Sequence, residues 1–297
     1  RPDREPVYAV ALIRLLRGCE DERKWPVLQK ALEDPSPWVR SAAADAFSTY
    51  NGLEMVEPLL RAVRDDYRLV RIRAAASLAA VPREILSDED RTALERATEE
   101  LLAAYATRPD DAAGYTNLGN FYLSRRQLDR AIEAFETALK LQPDSLPTLV
   151  NAALAYNMAG RNDKAEAYLR RAVKVDPKNA AANFNLGLLL GELGRVAEAK
   201  QALRRAWDAE PGMAAAAYNL CVLEAQEDPR KALGWCEQAV KAEPREPKYR
   251  YTLAFYQARN GAVGTAIRML ESLTREHPGY ADSYLLLGEL YASQGRR

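Results

Sequence analysis

Tyr115-Thr116-Asn117-Leu118-Gly119-Asn120-Phe121-Tyr122, followed by Ala131, Phe135, Ala138 and Pro143, is the stretch whose reading decides the architecture. Its pattern returns along the chain. Asn151-Ala152-Ala153 is followed by Tyr156, Gly160, Ala165, Leu169, Ala172 and Pro177, and Asn185-Leu186-Gly187 by Gly194, Ala199, Leu203, Ala206 and Pro211. A fourth copy keeps Asn219-Leu220-Cys221, Ala232, Ala239 and Pro244. A fifth keeps Leu253, Gly261, Ala266, Leu270 and Pro278, and a sixth, incomplete, Tyr284, Leu287, Gly288, Tyr291 and Gly295. Pro109, Pro143, Pro177, Pro211, Pro244 and Pro278 set a period of 34 residues with one step of 33. The missing residue falls near Glu227 to Pro229, where a loop absorbs it at little cost. Two helix-length amphipathic segments fit between successive prolines. The chain is therefore expected to be all-α, an α-solenoid of antiparallel helical hairpins wound as a right-handed superhelix, with function read from a surface rather than a pocket.

Each recurring residue type has a packing reason. Gly or Ala lets two helices approach closely, large apolar residues fill the wedge between hairpins, and Pro ends the second helix. In these residues the segment from about 111 to 297 closely resembles the tetratricopeptide repeat, as five full copies and one incomplete one.

Upstream, the period changes. Asp34-Pro35-Ser36-Pro37-Trp38-Val39-Arg40 is answered by Asp65-Asp66-Tyr67-Arg68-Leu69-Val70-Arg71, and both run into alanine-rich segments. An Asp in the turn with an Arg six residues on resembles the signature of HEAT repeats, over residues 1–86. The Asp can accept backbone N–H bonds where the next helix starts, and the Arg supplies a charge-assisted partner, so adjacent turns are expected to be tied as a ladder. Helices are expected near 5–17, 22–33, 36–49, 54–64 and 68–80. Ala9 stands where an Arg is due, so the ladder should begin at Asp34. Arg64, Arg68, Arg71 and Arg73 form a basic cluster flanked by Asp65 and Asp66, read as ladder or solvated charge ahead of a docking site for an acidic partner. Residues 87–110 connect the arrays. Ser87 with Asp88, Glu89 and Asp90 is a strong helix start, and Ala97, Leu101 and Ala104 place the helix to Thr107 on the proline grid as a degenerate half repeat. No flexible linker is expected.

Composition excludes more than it assigns. The 297 residues balance 42 basic against 42 acidic side chains. That leaves no basic excess to grip nucleic acid or an anionic membrane. No apolar run is long enough to span a bilayer, and no signal-peptide pattern opens the chain. The first residue is Arg1 rather than Met, and the sixth repeat stops at Arg297, so both ends read as cut from a longer protein. Histidine-based metal sites and triads are nearly excluded because His277 stands alone. No nucleophile–base pair, phosphate loop or metal spacing appears, so no enzyme activity and no cofactor are expected in this chain.

The surface is the remaining candidate. Asn117, Asn151, Asn185 and Asn219 fall at one repeat position on the inner, concave face. A carboxamide offers a donor and an acceptor to an extended peptide backbone. The arrangement resembles the asparagine ladder of O-linked N-acetylglucosamine transferases, which implies a hold on polypeptides. Val150 and Leu154, Phe184 and Leu188, Tyr218 and Val222, and Tyr251 and Phe255 flank it. Together they read as a groove for a segment of another protein, or as an architectural face whose aromatics pack on one another. A carboxylate clamp fits Asn120 and Asn151 but lacks its basic residues at Thr116, Ala181 and Asn185, so binding of a free C-terminal Asp is disfavoured.

Cys221 and Cys236 fall on facing helices of the fourth hairpin. Either they are two small buried thiols, or they form a disulfide whose loop of about 15 residues adds about 3 kcal/mol in an oxidising compartment. His277, before Pro278, suits a helix cap.

HEAT hairpins running into tetratricopeptide hairpins, with Val70-Arg71-Ile72-Arg73-Ala74-Ala75 and then Val81-Pro82, resemble the C-terminal part of bacterial multihaem c-type cytochromes. That resemblance implies a periplasmic parent, against a cytoplasmic one otherwise. This chain holds no CxxCH, so electron transfer would lie outside it. The leading expectation is a non-catalytic scaffold holding a partner protein, or a missing domain of its own parent. The rival is a docking region of a larger redox enzyme.

Overall fold

The computed structural model describes residues 5–50, 52–225 and 227–295. Among these, seventeen α-helices and no strand are found, and the helices lie antiparallel as an α-solenoid. Contacts divide the chain into two units, residues 1–143 and 144–297.

The first unit holds α1 (Pro6–Arg17), α2 (Lys24–Ala31), α3 (Pro37–Ala46), α4 (Val56–Ala62), α5 (Arg68–Ser77), α6 (Asp88–Ala106), α7 (Ala112–Ser124) and α8 (Leu128–Leu141). The expected helices 36–49 and 54–64 are shorter than the pattern suggests, because 3₁₀ turns at Phe47–Thr49 and Leu53–Met55 take up their ends. Helices α1, α3, α5 and α6 lie side by side as one layer, with α2 against α3 and α4 against α5. Alanines permit that approach: Ala43, Ala44, Ala74 and Ala75 are fully buried. A single core runs from Ile13 through Val39, Phe47, Val70 and Leu94 to Leu101 and Phe121. It joins the HEAT-like helices, the connecting helix and the first tetratricopeptide-like hairpin without a break. Helix α6 begins where its sequence says, with the Asp90 N–H donating to Ser87 Oγ at 3.1 Å.

The ladder forms with one substitution of partner. Ser36 and Tyr67 N–H groups each donate to the Asp two residues back, Asp34 and Asp65, at 2.9 Å. Arg40 spans the rung, donating to Asp65 at 2.7 and 3.0 Å and to the carbonyls of Asp34 and Pro35. Arg71 repeats the carbonyl contacts on Asp65 and Asp66 but meets Glu100 of α6 instead of another turn Asp. The basic cluster is spent internally. Arg64 pairs with Asp90, Arg68 with Glu100 and Arg73 with Asp45.

The second unit holds α9 (Leu146–Met158), α10 (Asn162–Val175), α11 (Ala180–Glu192), α12 (Val196–Ala209), α13 (Ala214–Glu224), α14 (Pro229–Ala242), α15 (Pro247–Arg259), α16 (Val263–Glu276) and α17 (Ala281–Ser293). Successive pairs form hairpins, and α9, α11 and α13, like α15 and α17, are also neighbours, so the first helices make one layer. Gly160, Gly194 and Gly261 end their helices at φ +72°, +72° and +86°, a left-handed turn that needs glycine. The fourth hairpin has no such glycine. There Asp228 N–H bonds back to the Glu224 carbonyl while its carboxylate caps α14 through Lys231 N–H.

Close approach inside the hairpins follows the repeat pattern. A Cβ on Gly187 would sit 2.6 Å from Leu203 Cγ, so α11 and α12 meet only because that position is glycine. One repeat later the same slot holds Cys221 and Cys236. Both are buried, joined as a disulfide, with Cα atoms 5.2 Å apart. His277 caps α16, its N–H donating to the Leu273 carbonyl at 2.8 Å.

Candidate functional site

The first-helix face of the second unit is built by a repeat of small and large side chains. Positions that point into the hairpin are buried: Leu149, Ala152 and Ala153 on α9, Leu186 on α11, and Ala217 and Leu220 on α13. The 3.6-residue period then turns the asparagines and their flanking residues to the other side. Asn151, Asn185 and Asn219 are half-buried at equivalent places, while Leu154 and Val222 are 42% and 39% exposed. Phe184, Leu188, Tyr218, Tyr251 and Phe255 are half-buried on the same layer of helices. Asn117 and Asn120 are exposed on α7 of the first unit.

The carboxamides are more directional than their residue type alone suggests. Nδ2 of Asn185 donates to the Ala181 carbonyl and Nδ2 of Asn219 to the Ala215 carbonyl, both at 2.8 Å. With one N–H tied to the helix one turn back, each side chain keeps its Oδ1 acceptor and a second N–H for a partner. Asn185 and Asn219 thus share one anchoring bond, repeated a hairpin apart.

Toward α15 and α17 the face becomes aromatic. Tyr218 and Tyr249 lie 5.1 Å apart, Tyr251 and Tyr280 5.8 Å, and Phe255 and Tyr256 5.2 Å between ring centroids. Lys248 Nζ sits 4.3 Å over the Tyr218 ring. Burial raises the pKa of Tyr249, Tyr251 and Tyr280, and nearby carboxylates reinforce it: Glu243 and Glu246 at Tyr249, Asp282 and Glu289 at Tyr251, Asp282 and Glu246 at Tyr280. The phenols therefore stay neutral and protonated at physiological pH.

Among the described residues no group of three or more His, Cys, Asp and Glu is placed to hold a metal ion, and no helix is long and apolar enough to cross a membrane.

Residues 1–79 match the model of HEAT repeats, and residues 187–247 and 251–296 match that of the tetratricopeptide repeat. The chain carries HEAT repeats followed by tetratricopeptide repeats. Residues 89–204 match the middle tetratricopeptide-like domain of cilia and flagella-associated protein 70. Among solved structures it is similar to PilW, a widely conserved type IV pilus biogenesis factor, at 19% identity and TM-score 0.58 over 73% of this chain and 98% of that one. It is also similar to pilF of Pseudomonas aeruginosa, at 24% identity and TM-score 0.56 over 63% and 86% of the two chains. YrrB, a tetratricopeptide protein with an unusual peptide-binding site, aligns at 20% identity and TM-score 0.51 over 62% and 96%. At these identities the likeness is one of fold. Among curated proteins no sequence matches it.

Within the tetratricopeptide repeats, reading by ladder position finds the asparagines and the flanking apolar residues but misses Lys248, Tyr249, Tyr280, Asp282 and Glu289. A signal was present. Advancing one repeat carries Lys248 to Asp282. Projecting every first-helix position, rather than the asparagine neighbours alone, would have found all but Tyr280, which lies in the turn before α17.

Proposed function

We propose that this chain is a non-catalytic scaffold that holds an extended segment of another protein along the first-helix face of its second unit. The observation that carries the reading is the pair Asn185 and Asn219. Each is anchored to its own helix through one N–H, which leaves its Oδ1 as an acceptor, one hairpin after another, between exposed Leu154 and Val222. Backbone N–H groups of an extended chain are the donors such a row satisfies without reading sequence, and the apolar neighbours supply contact area. That YrrB has a peptide-binding site on the same fold supports the reading.

The test uses a fluorescein-labelled peptide selected from a display library of short random segments, followed by anisotropy with the full chain. Replacing Asn151, Asn185 and Asn219 by Ala together is expected to weaken binding about ten-fold or more, each lost bond contributing about 0.5–1.5 kcal/mol. A selected peptide that binds the triple variant as tightly as the original chain overturns the proposal.

A further inference from the structure

The aromatic end of this face has a charge preference that the asparagine row does not explain. Tyr218, Tyr249, Tyr251, Phe255, Tyr256 and Tyr280 gather there in the three ring pairs given above. An aromatic face carries negative quadrupole density, and a cation placed over it is held more strongly where water is partly excluded. The cluster already takes cations of the chain itself: Lys248 over Tyr218 at 4.3 Å, and Arg259 over Phe255 at 5.6 Å. Among the described residues none lies over Tyr251 or Tyr280.

Around those two rings stand carboxylates without counter-charges. Glu246, Asp282 and Glu289 form no ion pair among the described residues, whereas Glu166, Glu198, Glu224 and Glu276 of the same unit are all paired. The Glu246 carboxylate accepts the Lys248 N–H at the start of α15. Three unpaired acids and two phenol rings with no cation over them present the same polarity. An acidic segment laid here would meet repulsion, and a purely apolar one would strip water from carboxylates and leave them unpaired. A guanidinium answers every feature at once: its plane stacks on a phenol ring while its N–H fork reaches a carboxylate.

We infer that the polypeptide held on this face carries arginine or lysine side chains where it crosses α15 and α17. The inference rests on the polypeptide-binding reading above, and adds the partner's charge.

The probes are fluorescein-labelled peptides of alternating Gly and Arg, with matched peptides carrying Gln or Glu in place of Arg, titrated into the full chain. The Arg peptide is expected to bind about ten-fold or more tightly than the Gln peptide, and the Glu peptide not to bind. The triple variant Glu246→Gln, Asp282→Asn and Glu289→Gln should bring Arg-peptide binding down to that of the Gln peptide with the thermal melt unchanged, since the carboxamide introduced by Glu246→Gln keeps an acceptor for the helix start. A control variant, Glu210→Gln with Glu237→Gln, neutralises exposed acids of α14 and of the turn after α12 and should leave the preference intact. Equal binding of Arg and Gln peptides that is lost in the asparagine variant would overturn the charge inference and keep the groove. Equal loss in the control variant would reduce it to bulk attraction and overturn it. No binding of any peptide would overturn both readings.

Discussion

Replacing Glu224 by Ala is expected to lower the stability of the second unit by about 3–5 kcal/mol, the range for stripping one partner from a buried ion pair. Its side chain is only 3% exposed and that of Lys200 10%. Lys200 donates to Glu224 at 3.0 Å and to Glu227 at 2.6 Å, Arg204 also donates to Glu224, and Lys231 lies 3.6 Å away. Helices α12, α13 and α14 thus converge on one carboxylate at the hairpin that lacks its turn glycine. Alanine there leaves a buried ammonium with one partner and strips Arg204 of its acceptor. Burial pushes the Glu224 carboxyl up, but hydrogen bonds from Lys200 and Arg204, with the charges of Lys200 and Lys231, outweigh it and hold it below the ordinary carboxylate value. A carboxylate with a depressed folded pKa contributes fully above its unfolded value and loses that contribution as pH falls through the folded one. The gap between Glu224→Ala and the unaltered chain in urea unfolding should therefore be largest at neutral pH and shrink below about pH 4.5. A gap under about 1 kcal/mol at pH 7 would show the network to be solvated rather than structural.

Arg40→Ala is expected to cost the first unit about 3 kcal/mol, toward the lower end of that range, because the guanidinium and Asp65 are a little less buried, at 15% and 11%. The change leaves the Asp65 carboxylate and two turn carbonyls without their partner. Arg40→Lys should recover less than half, since an ammonium cannot hold Asp65 bidentately and reach the Asp34 carbonyl together. Arg61→Ala provides the contrast. Arg61 pairs with Glu57 and Glu33 in solvent, so its loss should move the urea midpoint by less than about 0.5 kcal/mol equivalent. If Arg40 and Arg61 behave alike, the ladder is not what ties adjacent turns.

The hairpin architecture was legible because its causes are local. Pro143, Pro177, Pro211, Pro244 and Pro278 each stop a second helix within two residues of its end, and Gly187 marks a contact that a Cβ would obstruct. The Asp34 to Arg40 spacing disclosed the ladder, yet not that Arg71 would find Glu100. That partner comes from α6, which lies beyond the Asp-to-Arg period. The phrase Val70 to Ala75 is occupied with packing and pairing: Val70, Ala74 and Ala75 are core, and Arg71 and Arg73 are bound to acids. At the candidate face the asparagine row was legible by position. The orientation of Asn185 and Asn219 was not, because back-bonding to a helical carbonyl depends on a rotamer. The tyrosine pairs stayed hidden for a related reason: Tyr249 and Tyr280 enter from the start of α15 and the turn before α17, outside the positions that carry the repeat pattern.

The most direct measurement places a photoreactive benzoylphenylalanine at the centre of a selected, tightly bound peptide and maps the cross-links on the full chain by mass spectrometry. The account predicts adducts on the first helices of the second unit, at α11, α13 and α15 near Asn185, Tyr218, Asn219 and Tyr251, and their loss when excess unlabelled peptide is added. Adducts confined to α12 and α14, around Trp207 and Trp235, would contradict it.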